Sequence, residues 1–232
     1  MSLLPRTRQR ALTLLEILVA VTIMAMVAIL IYGAFDGVSR SKIGLARLNS
    51  RFHQGRAVMR RLAHELSGAY ISLHLPFNQA LIASKTVFIS KEGSPADRLD
   101  MSTFSHRRVT ADAKESDQNE LSYFGCPDPE ISGKIDLCRR EQAIIDLEPG
   151  KGGSVHVVAE DIDLFDLKYL DPQSGLWVDS WDSTQAIGQP NRLPIQARIT
   201  LVLRGGPGGR TIKFEEKVSF TMVQPLTFAV PR

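Results

Sequence analysis

The chain has 232 residues, a formal net charge of +3 and a sequence pI of about 8.9. Once an apolar N-terminal stretch is set aside, that length still accommodates one sizeable globular domain. Arg6, Arg8 and Arg10 account for the whole excess, so the basicity belongs to the first residues and makes no case for a nucleic-acid partner.

From Leu12 to Phe35 there is no basic residue, no proline and a single acid, Glu16. A bilayer-spanning helix needs roughly 20 apolar residues, which this run supplies. The flanking arginines place the N-terminus on the cytoplasmic side and send the rest outward. Glu16 is the anomaly, because a carboxylate near the centre of a membrane helix costs about 2.5–3.5 kcal/mol on insertion scales. A plain anchor gains nothing from it. Either it sits shallow and reaches the headgroups, or it has a function in the apolar phase.

The stretch Ala11-Leu-Thr-Leu-Leu-Glu16 resembles the cleavage and methylation motif of type IV pilins and type II secretion pseudopilins. The resemblance implies that prepilin peptidase cuts between Ala11 and Leu12, methylates the new N-terminus at Leu12, and leaves Glu16 as the fifth mature residue. Ala11 and Leu12 stand where the family usually has glycine and phenylalanine. The resemblance also implies that Glu16 pairs with the N-terminal ammonium of a neighbouring subunit, since both charges would otherwise be stranded in apolar surroundings.

No proline occurs between Arg6 and Pro76, and Leu45, Leu48, Phe52, Met59, Leu62 and Leu66 recur at helical spacing. This predicts one amphipathic helix continuing the membrane helix to about Tyr70, with Arg51, Arg56, Arg60, Arg61 and Glu65 on its other faces. Gly33, Gly37 and Gly44 mark the place for a bend. Beyond Pro76 the period changes to two. Strands are expected at Thr86–Ser90, Leu99–Phe104, Glu120–Phe124, Gln142–Leu147, Ser154–Ala159, Leu164–Leu170, Leu176–Trp181, Ile195–Arg204 and Arg210–Val223. The last two form a long hairpin turned by Gly205-Gly-Pro-Gly-Gly209. His106–Asn119 and Asp182–Pro194 read as irregular loops. The predicted fold class is α+β, a long N-terminal helix packed on antiparallel sheet. The predicted segments are a basic leader (1–11), an assembly and transmembrane helix (12–35), its amphipathic continuation (36–76) and a β-rich periplasmic domain (77–232).

Cys126 and Cys138 are the only cysteines. In an oxidising compartment they favour a disulfide across an ordered, proline-containing loop, the alternative being two reduced buried thiols. No nucleophile elbow, HExxH, Walker loop or dinucleotide fingerprint is present. The five histidines are dispersed, and His106, beside Arg107 and Arg108, reads as a solvated loop residue. Glu160, Asp161, Asp163 and Asp166 lack an EF-hand pattern. The expectation is therefore no catalytic residue, no metal and no cofactor. Trp177 and Trp181, four apart, would share a face of one extended strand, as core or as a subunit interface. Arg56 and Arg60 are further interface candidates on the helix.

The segment Phe165–Trp181 followed by Leu193–Leu203 resembles the J-type minor pseudopilin of type II secretion: an aromatic-rich strand, a turn, a W-x-x-x-W pair, then L-P and an alternating strand. The resemblance implies an inner-membrane, single-pass protein with a periplasmic domain. Its partners would be the I- and K-type minor pseudopilins, joined with it in a pseudopilus tip complex that primes assembly, with the major pseudopilin as a further candidate. Two other readings share parts of this sequence. A minor pilin of a type IV pilus would carry the same leader. A signal-anchored periplasmic binding protein would carry the same apolar run without needing Glu16.

Overall fold

The computed structural model describes residues 13–74, 85–108, 112, 114–205 and 209–227. It shows one long N-terminal helix and ten strands in two antiparallel sheets, an α+β architecture. By contacts the chain divides into two compact units, one ending at Arg47 and the other starting at Leu48.

Helix α1 runs over Leu14–Ser67. It opens on a capping box. The Glu16 amide donates to Thr13 Oγ1 at 3.3 Å, while the Thr13 amide and hydroxyl donate to Glu16 Oε2 at 2.9 and 3.2 Å. Helical hydrogen bonding continues without interruption through Gly33, Gly37 and Gly44. In the first unit the apolar side chains are uncovered; Leu14, Ile29 and Phe35 are each at least 70% exposed. This stretch is long and apolar enough to cross a membrane, with mean hydropathy 2.8 in its most apolar window.

In the second unit α1 contributes Val58, Met59, Leu62 and Leu66 to the core. Fully burying a residue such as Leu62 stabilises by about 1.5–3 kcal/mol. The predicted stripe thus divides, since Leu45 and Phe52 are exposed while Met59, Leu62 and Leu66 are buried. The helix stops at Gly68, three residues before the expected end. There Thr103 Oγ1 donates to the Glu65 carbonyl at 2.9 Å and satisfies one of the last-turn acceptors.

The larger sheet comprises β1 (Phe88–Lys91), β2 (Arg98–Thr103), β3 (Asn119–Pro127), β4 (Ile135–Gln142), β5 (Ser154–Ala159) and β8 (Trp181–Asp182), in the order β5-β4-β3-β2-β1-β8. The smaller comprises β6 (Ile162–Leu170), β7 (Trp177–Val178), β9 (Gln196–Leu203) and β10 (Ile212–Ser219), in the order β10-β9-β6-β7. The predicted C-terminal hairpin is β9–β10, paired from Ile212↔Leu203 to Ser219↔Gln196. Residues 206–208 of its turn lie outside the described residues.

Segment 95–97 links the two sheets. The Asp97 amide donates to the Phe165 carbonyl, the Phe165 amide donates to the Pro95 carbonyl, and Asp97 Oδ2 accepts the Leu167 amide at 2.7 Å. The core therefore mixes helix residues with Phe88, Leu121 and Leu137 of one sheet and Phe165, Leu167 and Leu201 of the other.

Two strand expectations need correction. Gln142–Leu147 is not a strand; after Gln142 the chain bends, and the Asp146 amide donates to Glu120 Oε1 at 3.1 Å. The strand is instead Ile135–Gln142, whose start falls in the segment between the cysteines that reads in sequence as an ordered loop. Leu176–Trp181 is not one strand either. Trp177 and Val178 join one sheet, with Leu170↔Trp177, and Trp181 joins the other together with Asp182, with Ser90↔Trp181.

Candidate functional site

At its start the chain offers a carboxylate, a helix and an apolar surface. Glu16 sits in the first turn of α1 with its carboxylate turned back onto Thr13. An acid in the first turn complements the positive end of the helix dipole. Ala11 and Leu12, the expected processing positions, lie outside the described residues.

The second unit carries the interface candidates. Arg56 and Arg60 are exposed on α1 and line a cavity of about 400 Å³ with His53, Met59, Phe214, Glu215 and Glu216. Its floor is apolar, from Met59 and Phe214, and its two banks are charged with opposite signs. Gly55 permits this close approach of α1 to β10, for a Cβ there would stand 2.2 Å from the Phe214 ring. No sequence signal linked Gly55 to Phe214.

Cys126 and Cys138 are joined by a disulfide, with their Cα atoms 5.8 Å apart on neighbouring strands β3 and β4. The bond cross-links a hairpin rather than a free loop.

Trp177 and Trp181 are separated by the change of sheet. Trp181 is 1% exposed, and its indole N–H donates to the Arg192 carbonyl at 3.0 Å. It packs at 6.3 Å from the Tyr169 ring. Of its two expected readings, core or interface, Trp181 takes the first. Trp177 is half-buried at the edge of the smaller sheet, under the cations of Arg198 and Lys217.

A buried ionic cluster escaped the sequence. Glu65, expected on a polar helix face, is 4% exposed. Its Oε1 accepts from Arg139 Nη2 and Nε at 2.7 and 3.0 Å, and its Oε2 accepts from the Tyr123 hydroxyl at 2.5 Å. Burial, and next the Glu65 charge, push the Tyr123 phenol far up, so it stays a donor. Arg139 continues to Glu141 at 2.6 Å, and Glu141 to His106 at 3.0 Å. The signal was available, since Val58, Leu62, Glu65 and Ala69 continue one stripe at helical spacing.

His106 is therefore not a solvated loop residue; its side chain is 11% exposed and bridges Glu115 and Glu141. Hydrogen bonds to Glu115 and then Glu141 raise its pKa above 6.5 against desolvation. Desolvation works to raise the Glu141 carboxyl, but the hydrogen bonds from His106 and Arg139 prevail and hold it at about 2. The raised imidazole stabilises fully below 6.5 and loses that contribution as pH rises through its folded value. The depressed carboxyl stabilises above 4.5 and loses its contribution as pH falls towards about 2. The cluster thus contributes most between 4.5 and 6.5. Unfolding followed by circular dichroism should show His106→Gln destabilising most in that window, with the difference from the wild type shrinking at alkaline pH.

The acidic run has ordinary employment. Asp163 pairs with Arg204 at 2.9 Å, the Asp161 amide donates to Asp136 Oδ1, and the Glu160 carbonyl accepts from Arg51. Among the described residues no group of three or more His, Cys, Asp or Glu is placed to hold a metal ion.

Helix start, capping glutamate and uncovered apolar face together define a class of N-terminal segment. The family model described as "Prokaryotic N-terminal methylation motif" matches residues 6–32. The chain therefore carries a prepilin-type N-terminal motif at the head of an α+β fold. No curated protein matches. Among solved structures, a chain of the GspK-GspI-GspJ complex from the type 2 secretion system of enterotoxigenic Escherichia coli is 13% identical, with a TM-score of 0.46 over 76% of this chain and 99% of that one. A type IV-like pilin from Thermus thermophilus is 12% identical, with a TM-score of 0.46 over 74% of this chain and 96% of that one. Similarity this low leaves the assignment to the motif and the architecture.

Proposed function

We propose that this chain is a minor pseudopilin of a type II secretion system, of the J type. The observation that carries the reading is the methylation motif over residues 6–32, with Glu16 in the first turn of an apolar helix whose surface is uncovered. A helix of that kind needs an apolar environment on all sides, first a bilayer and then neighbouring helices. On this reading prepilin peptidase cuts between Ala11 and Leu12, and Leu12 becomes the methylated N-terminus. Glu16 exchanges its bonds to Thr13 for the ammonium of the adjacent subunit. The β-rich domain stands in the periplasm and meets I- and K-type minor pseudopilins in a tip complex that primes the pseudopilus. The groove beside Arg56 and Arg60, with opposite charges on its two banks, supports a polypeptide contact there. The protein is a structural subunit and a substrate of processing rather than an enzyme.

Mass spectrometry of the mature protein tests this reading. The expected N-terminal residue is N-methyl-Leu12. A chain starting near Phe35, or one retaining Arg6, would remove it from the class.

A further inference from the structure

The outward face of the smaller sheet holds a row of cations that sheet stability does not explain. Register sets Lys168 of β6 opposite Arg198 of β9, and Arg198 opposite Lys217 of β10. Ala197, Ile199 and Leu201 of β9 point into the core, so Arg198 and its cross-strand neighbours point outward. Like charges directly opposite one another destabilise a sheet. Lys168 is answered by Asp179 at 2.5 Å. The side chains of Arg198 and Lys217 make no hydrogen bond or ion pair among the described residues, and Arg198 Nε is buried without a partner. Both cations instead lie on one ring. The Arg198 guanidinium is 4.5 Å from the centroid of Trp177 and the Lys217 ammonium 5.6 Å. A cation on an indole gains about 0.5–1 kcal/mol when exposed; Glu215 on the same face offsets part of the repulsion from a distance, but it is paired with Lys213, so neither cation has a carboxylate in direct contact.

We propose that Trp177, Arg198 and Lys217 form a docking point for an acidic segment of a partner polypeptide. One carboxylate seated between Arg198 and Lys217 supplies the direct ion pair that both lack, and the indole offers an apolar surface beside it. The surroundings select the kind of partner. Asp166 lies on the same face two residues from Lys168, Asp179 sits on Lys168, and Glu215 is held by Lys213 at 2.8 Å. These acids repel an extended anionic surface such as a phospholipid headgroup layer or a nucleic-acid backbone. A single carboxylate on a flexible chain avoids them and meets two cations. The inference rests on the sheet alone and holds whether or not the chain is a secretion component.

The test uses the full-length chain in neutral detergent and a fluorescently labelled peptide of repeating Glu-Gly, with binding read by anisotropy at low and high salt. Saturable, salt-sensitive binding is expected. Arg198→Gln and Lys217→Gln should each weaken it by about tenfold, and Trp177→Ala by a similar factor. Lys91→Gln removes the same charge from an exposed site on the other sheet, away from the ring and from Glu215, and should change affinity by no more than about twofold. Circular dichroism verifies that each variant is folded. Equal losses in all four variants would mean general electrostatic attraction and overturn the proposal. Tighter binding of glycerol phosphate than of the peptide would assign the cluster to a lipid headgroup instead. Absence of peptide binding at low salt would also reject it.

Discussion

Replacing Glu65 with alanine is expected to lower stability by about 3–5 kcal/mol, because it leaves the Arg139 guanidinium buried beside the core with its main counter-charge gone. For a chain of this size that corresponds to a fall in melting temperature of roughly 10 °C. Arg139 is 9% exposed in its side chain and keeps only Glu141 once Glu65 is removed, so the lower half of the range is the better expectation. Tyr123 loses its acceptor in the same step. The pair also joins helix to sheet, since Glu65 comes from α1 and Arg139 from β4. Thermal and urea unfolding of Glu65→Ala, Arg139→Met and the double variant Glu65→Leu/Arg139→Met separate charge from packing. Each single variant should be strongly destabilised and the double one much less, because a buried ion pair replaced by apolar groups often costs little. A double variant as unstable as the sum of the singles would show that the cluster contributes through shape.

Trp181→Ala should cost a further large amount, about 3–5 kcal/mol. The indole is 1% exposed, packs against Tyr169 and holds the Arg192 carbonyl, which it would leave without that donor. It also anchors β8, the two-residue strand that pairs with β1 at the end of the larger sheet. Trp177→Ala, four residues earlier, should by contrast lower the unfolding midpoint much less, since it removes only two cation contacts on a half-buried ring. Guanidinium titrations of the two variants would show this difference; equal midpoints would place both residues in one environment and contradict the division between sheets.

Much of the architecture was readable because burial on one face imposes periodicity. The span of α1 followed from apolar residues at threes and fours, and Ser154–Ala159, Leu164–Leu170 and the C-terminal hairpin from alternation. Strand β4 was not readable for a physical reason. Its sequence Cys138-Arg-Arg-Glu141 has consecutive charges where a buried strand should be apolar, yet it is covered on both faces. On one side Arg139 meets Glu65; on the other, Arg140 meets Glu120, Ser122 and the carbonyls of Lys151 and Gly152. The two buried arginines find their carboxylates, Glu65 and Glu120, far away in sequence, and no local pattern encodes that. The same cause separated Trp177 from Trp181. Whether a two-residue extended segment joins one sheet or the other is decided by β1 and β6, not by its own residues. At the site, Glu16 was legible because it violated composition, whereas Gly55 needed knowledge of where Phe214 would lie.

The capping box at the head of α1 has a consequence for how such a helix would come and go from an assembly. Glu16 carries its own hydrogen-bond donors, the Thr13 amide and hydroxyl, so it enters an apolar phase partly solvated by its own chain. If it later meets the ammonium of a neighbouring subunit, the carboxylate exchanges partners while the ammonium gains its counter-charge. Two neutral donors give way to a full positive charge, so in an apolar phase the exchange favours the assembled state. The Thr13 bonds would then leave the Glu16 carboxylate partnered on either side of such an exchange, so it is never without a donor.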